Sequence, residues 1–164
     1  MSLLGDAHMV VLADVRRFPA SRRNPQFNRP ALAAALAEHR IDYHWFGDRL
    51  GGRRTPDPGP SRHPAWHDPA FRGYAEYMDE TEFRTAFSEL LVLARGVPTA
   101  IMCAETLWWR CHRRLLSDAA VLAGTQVTHL LGPGRSQPHR LHPAVRAGDD
   151  GWPVYDVGVQ PELL

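Results

Sequence analysis

A single three-layer α/β domain, with a mostly parallel sheet flanked by helices, is the fold that these 164 residues predict. Three observations predict it. Short apolar runs rich in β-branched residues alternate with segments whose apolar residues recur at helical spacing. Read along the chain, the order is strand, helix, strand, helix, strand, helix, strand, which implies right-handed crossovers onto a mostly parallel sheet. Finally, 44% hydrophobic and 23% charged residues at this length describe one domain, residues 1–164, that buries a core without disulfide or metal staples.

Met9 to Val15 (MVVLADV) reads as a buried strand, being brief, rich in valine and closed by charge at Asp14 and Arg16. Three prolines in RFPASRRNPQFNRP forbid regular structure until Asn28 caps a helix with Pro30 in its first turn. Leu32 and Leu36 give that helix a narrow apolar stripe. Ile41 to Phe46 alternates Ile41, Tyr43 and Trp45 as a second strand. Residues 51–70 form a proline-rich loop, expected to be a lid or mobile element because long structureless loops are uncommon in compact domains. A short helix is expected over Phe71 to Met78. Asp79 and Glu82 then resemble a capping box for a second helix, with Phe83, Phe87, Leu90, Leu91 and Ala94 on one face and Gly96 as its stop. Val97 to Cys103 is the third strand and residues 109–124 a helix striped by Leu115, Leu116, Ala119 and Leu122. Gln126 to Leu131 is the fourth strand. Residues 132–164 read as an irregular C-terminal segment, apart from a short edge strand at Pro153 to Val157.

Composition narrows the chemistry. No run approaches the roughly 20 apolar residues that span a bilayer, and no basic then apolar leader opens the chain, so a cytoplasmic protein without a membrane partner is expected. Two cysteines, Cys103 and Cys111, are too few for a disulfide framework, and their spacing is not that of a zinc finger. All 19 basic residues are arginine, which excludes Schiff-base lysines and a P-loop lysine. Residues 1–74 hold 11 Arg against 7 acidic residues and residues 75–164 hold 8 against 11, which points to a local anion-binding surface rather than a polycation.

In parallel α/β sheets ligands bind at the carboxyl ends of the strands. Asp14 and Arg16 on one strand, and Cys103 and Glu105 on another, should face that rim. A helix expected to begin near Trp109 puts Cys111, His112 and Arg113 in or near its first turn, where anions bind and thiols ionise readily. The catalytic candidates are therefore Asp14, Cys103, Glu105, Cys111 and His112. Asp14 would orient a ligand, Glu105 would be the general acid/base, and one cysteine the reactive thiol. Arg16, Ser21, Arg22 and Arg113 are the anion-binding candidates, and Arg23, Arg53 and Arg54 extend a phosphate path along the loops. On a helix, residues 111 and 112 point about 100° apart, which makes His112 a poor direct base for Cys111.

Other readings stay open. Asp14 and Arg16 also suit a structural pair, and Cys103 an inert core thiol. Cys103, Cys111 and His112 could hold metal or haem, although Cys-x7-Cys-His is not a standard ligand pattern; no metal ligands are assigned and the cofactor is unknown. A non-catalytic nucleic-acid-binding module would use the N-terminal arginines on the backbone and Trp108, Trp109, Tyr74, Tyr77 or Phe71 for stacking. His63, His67, His139 and His142 lie in proline-rich loops and are expected to be exposed and without a role.

The strings ADVRRFPASRRNPQF, DYHWFGDRLGGRR, FRGYAEYM, IMCAETLWWRCHRRLL and QVTHLLG, with RLHPAVR near the C-terminus, together resemble the domain-of-unknown-function 488 family over nearly the whole chain. The resemblance implies a small α/β fold and a set of motif positions rather than a reaction. Those positions are Asp14, Val15, Arg16, Pro19, Ser21, Phe27, Leu50, Gly51, Gly52, Tyr74, Cys103, Glu105, Cys111, His112, Arg113 and His129. Members of that family begin with a further strand and a Thr-Ile-Gly-His-Ser-like segment, where this chain has MSLLGDAHM, so the resemblance implies an internal start or the loss of part of a site. The expected function is to bind, or act on, an anionic phosphate-bearing small molecule or nucleic-acid end.

Overall fold

The structure, a computed structural model, describes residues 2–158. Helix α1 (Ser2–Asp6) leads into β1 (Val11–Asp14), whose four residues are all buried, as the apolar run predicts. After a 3-10 turn at Pro25–Phe27, α2 (Arg29–Ala37) crosses to β2 (Asp42–Trp45). Next come α3 (Gly47–Leu50), α4 (Pro69–Tyr77) and α5 (Thr81–Gly96), then β3 (Thr99–Met102), a second 3-10 turn at Trp108–Arg110, and α6 (Arg113–Leu122). The three strands form one parallel sheet in the order β2-β1-β3, so the fold is α/β as predicted. Parallel neighbours need long crossovers, and the helices supply them. The register sets Asp14 opposite both Trp45 and Met102, which aligns the three carboxyl ends at one rim.

Successive strand residues point to opposite faces. Leu12 accordingly packs with Leu32, Leu36 and Ile41 beside α2, whereas Ala13 joins the larger cluster of Phe83, Phe87, Leu90, Leu115 and Leu116 from α5 and α6. Among the described residues no helix is long and apolar enough to cross a membrane.

The C-terminal third departs from expectation. Gln126 to Leu131 does not add a fourth parallel strand; β4 (Thr128–Gly132) pairs antiparallel with β5 (Arg135–Pro138). The reason is Gly132, Pro133 and Gly134, a turn sequence that folds the chain straight back with Gly134 at φ 64°. Nor is the segment from residue 132 irregular, because β6 (Val145–Ala147) and β7 (Pro153–Tyr155) make a second antiparallel pair, with β7 falling on the expected edge strand. Residues 159–164 of that segment lie outside the described residues.

The proline-rich loop is tethered rather than free. Arg72 donates to the carbonyls of Asp57 and Gly59, the amide of Asp57 donates to Glu76, and the loop's own His63 and Trp66 are buried. Asn28 stands at the N-cap of α2 as expected, but its Oδ1 receives the Ser21 amide instead of capping the helix. The capping box at Asp79 and Glu82 does not form. Glu80 is the N-cap of α5, and Asp79 instead receives Arg62, His63 and Arg84. His67 is exposed as expected, but His63 and the ring of His139 are buried, because Asp79 and Asp118, distant in sequence, each accept an imidazole N–H at 2.9 Å.

Candidate functional site

The aligned strand ends form the floor of a cleft of about 360 Å³. Arg16, Cys103, Glu105, Cys111 and His112, five of the residues singled out in the sequence, line it. Arg17, Phe18, Gly52, Arg53 and Arg110 line it too, so three arginines besides the Asp14-paired Arg16 share the lining with two carboxylates, Asp68 and Glu105. A similar volume, about 370 Å³, lies between residues 61–64 and 146–156. It holds no thiol or imidazole, and its arginines are neutralised, Arg62 by Asp79 and Asp150 and Arg146 by Asp156. The thiols and the imidazole are therefore at the rim cleft.

The Asp14-Val15-Arg16 segment frames the cleft from below. Asp14 is fully buried; its carboxylate accepts Arg16 Nε and Nη2, the Arg16 amide, and the Tyr43 hydroxyl at 2.6 Å. Arg16 also donates Nη1 to the Phe27 carbonyl at 2.8 Å. This buried pair fixes the backbone at Val15, whose carbonyl lies 3.1 Å from His112 Nε2. A carbonyl only accepts, so Nε2 carries the hydrogen. The pKa of His112 is pulled down to about 4 by burial, with Arg113 and Arg54 adding to the effect against the Val15 hydrogen bond. The ring is neutral at pH 7, and Nδ1 keeps a lone pair.

That lone pair looks onto sulfur. Cys103, immediately after β3, has Sγ 3.9 Å from Nδ1. The helix expected from Trp109 starts only at Arg113; Cys111 is extended (φ −142°, ψ 171°), and His112 is the N-cap (φ −58°, ψ −14°). The 100° helical separation of residues 111 and 112 therefore does not apply. Instead Cys103 Sγ, Cys111 Sγ and a ring nitrogen of His112 lie within 4.8 Å of one another. Arg113 Nε donates to Cys111 Sγ at 3.2 Å, and its Nη2 to the Glu105 carbonyl. The two thiols hold one proton tightly and one loosely. The neighbouring Cys103 thiol, then Arg113, lowers Cys111 to about 6 against burial, while the neighbouring Cys111 and burial push Cys103 up.

Other candidates stand apart. Ser21 and Arg22 are on the loop after β1, outside the lining, with Ser21 Oγ accepting the Asn24 amide. Arg54 is held by the Gly51 and Asp48 carbonyls over the ring of Tyr77. Trp108 stacks on His129 at 3.7 Å. Tyr74, by contrast, is a buried part of the lining with Phe71, donating to the Leu50 carbonyl and set 4.9 Å from the His112 ring. The acceptor role of Val15 and the donor role of Tyr43 had no local sequence signal, because both act across the sheet.

The fold and the rim define a small parallel α/β domain whose rim cleft joins two thiols, an imidazole and arginines. The model described as Domain of unknown function DUF488 matches residues 1–120, and the chain belongs to that family. The match runs from α1 into α6 and takes in both halves of the cleft, whereas the antiparallel C-terminal strands lie beyond it. No curated protein and no solved structure matches the chain significantly.

Proposed function

We propose that the protein binds an anionic, phosphate-bearing small molecule in the rim cleft and acts on it at Cys103, Cys111 and His112. The observation that carries this reading is the convergence of Arg17, Arg53 and Arg110, beside the paired Arg16, on a cleft whose lining also holds two thiols and the His112 imidazole. Guanidinium groups suit phosphate because their forked donors match its oxygens. Glu105, exposed in the same lining, is the general acid/base. Asp14 and Arg113 are positioning residues, the first through Arg16 and Val15, the second through Cys111. Phe18, 63% exposed with the guanidinium groups of Arg17 and Arg53 within 6 Å of its ring, offers a face for an aromatic base attached to the phosphate. A purely nucleic-acid-binding module has less support, since Trp108 already lies against His129 and Tyr74 is in the core. The reading takes the protein as cytoplasmic, where both thiols stay reduced. It also takes the sheet as the middle of three layers, supported by the two clusters that Leu12 and Ala13 enter.

Calorimetric titration of the reduced protein with pyrophosphate and with ADP tests it. Saturable binding that weakens with added salt, and weakens at least several-fold in Arg53→Ala and Arg110→Ala, is expected. No binding at low salt, or undiminished binding in both variants, contradicts it.

A further inference from the structure

We propose that Cys103, Cys111 and His112 bind a zinc ion, with its fourth position open to the cleft. Tetrahedral zinc, with bonds of about 2.3 Å to sulfur and about 2.0 Å to nitrogen, holds its donors roughly 3.5–3.8 Å apart. The three donor atoms here lie within 4.8 Å of one another, with Cys103 Sγ and His112 Nδ1 already at 3.9 Å. Small side-chain rotations close the set around one point.

The surroundings favour a metal over a free thiol pair. A ligating histidine characteristically donates its other ring N–H to a carbonyl or carboxylate, which fixes the ring and directs the lone pair at the ion. His112 does this through Nε2–H to Val15, itself held by the buried Asp14–Arg16 pair. Gly52 keeps the approach clear: a Cβ there would stand 2.8 Å from Nδ1, so any side chain would cover the lone pair. Arg113 Nε–H to Cys111 Sγ stabilises a thiolate from the side. The backbone explains how sequence neighbours share one site, since extended Cys111 and helical His112 turn consecutive side chains toward the same point.

The donor set selects the ion. Two thiolates and an imidazole are soft and borderline ligands that suit zinc and disfavour magnesium or calcium. Two thiolates neutralise the charge of Zn²⁺, and a Cys2His set with one open position is a catalytic rather than a structural arrangement. Three donors converging on one point also suit a bare ion better than haem iron, which the protein ligates axially. The identity of the fourth ligand rests on the reading above: an oxygen of the bound anion takes the open position, where the ion polarises it.

Zinc content and cobalt spectra of the full-length protein test the site. Protein prepared with a non-thiol reductant and dialysed against buffered zinc should retain one zinc per chain. Cobalt should give a thiolate-to-metal charge-transfer band and intense tetrahedral absorption. Cys103→Ser, Cys111→Ser and His112→Ala should each weaken zinc by more than the roughly 10–100-fold seen when only an outer partner is removed. Gly52→Ala should weaken it with all three ligands present, and circular dichroism checks that each variant folds. If a cysteine variant does not fold, the wild-type cobalt spectrum still decides. Substoichiometric zinc without a thiolate band, or unchanged affinity in both cysteine variants, overturns the proposal. A protein that binds pyrophosphate but takes up no zinc overturns the metal site and leaves the anion reading standing; one that takes up zinc but binds no pyrophosphate does the reverse.

Discussion

Cys103, Cys111 and His112 form one cluster; His129, stacked on the indole of Trp108, begins another that runs through His139 to Asp118. Both clusters are built from buried titratable groups, and His112 and His129 are both pulled down to about 4, chiefly by burial. They differ in what is left over. Asp118, fully buried, accepts the His139 ring, the His142 amide and the Tyr155 hydroxyl, each at 2.9 Å. A carboxylate only accepts, so His139 Nε2 carries the hydrogen and Nδ1 accepts from His129 Nε2 at 2.8 Å. At the rim, by contrast, the bond from His112 to Val15 leaves Nδ1 facing two thiols and a cleft. Burial and a shifted pKa do not distinguish a site from a scaffold; an uncommitted donor or acceptor facing a cavity does.

The largest expected effects come from breaking buried polar groups. Asp118→Ala strands three buried donors and should cost about 3–5 kcal/mol in chemical denaturation, the range for breaking a buried polar pair. Asp14→Asn, which keeps the shape but leaves the buried Arg16 charge without its counter-ion, falls in the same range, about 3–5 kcal/mol. A negligible loss at Asp118 would remove the scaffold reading of the C-terminal cluster.

A smaller effect concerns pH. The pKa of His129 falls below its ordinary 6.5, to about 4, through burial and then repulsion from His139 and Arg113, against the attraction of Asp118. A group whose pKa is lower in the folded state takes up its proton more readily when unfolded. Its contribution is therefore intact above pH 6.5 and is lost as the pH falls towards 4. His129→Gln should flatten part of that acid slope in denaturation midpoints between pH 7 and 4; an unchanged slope would mean the ring is not buried neutral.

Legibility followed the range of the interactions involved. The strand at Val11–Asp14, the α5 stripe ending at Gly96 and the rim position of Cys103 were all readable, because periodicity and strand ends are local properties. The direction of β4 was misread because its apolar run says nothing about its partner, and the Gly-Pro-Gly turn after it was passed over. The buried His63 and His139 could not be seen, since Asp79 and Asp118 reach them only through tertiary packing. Within the candidate site, five of the residues named from the sequence share one cleft, but their mutual geometry was not legible. Treating Cys111 as helical set it against His112, whereas its extended backbone joins them.

The contrast between the two clusters is tested most directly by amide chemical-shift mapping of the reduced, isotope-labelled protein during a pyrophosphate titration. Saturable shifts concentrated at Gly52, Arg53, Cys103, Glu105 and Cys111 to Arg113, with Asp118, His139 and His142 unmoved, are the predicted result. Shifts centred on residues 128–147, or none at any concentration, would contradict it.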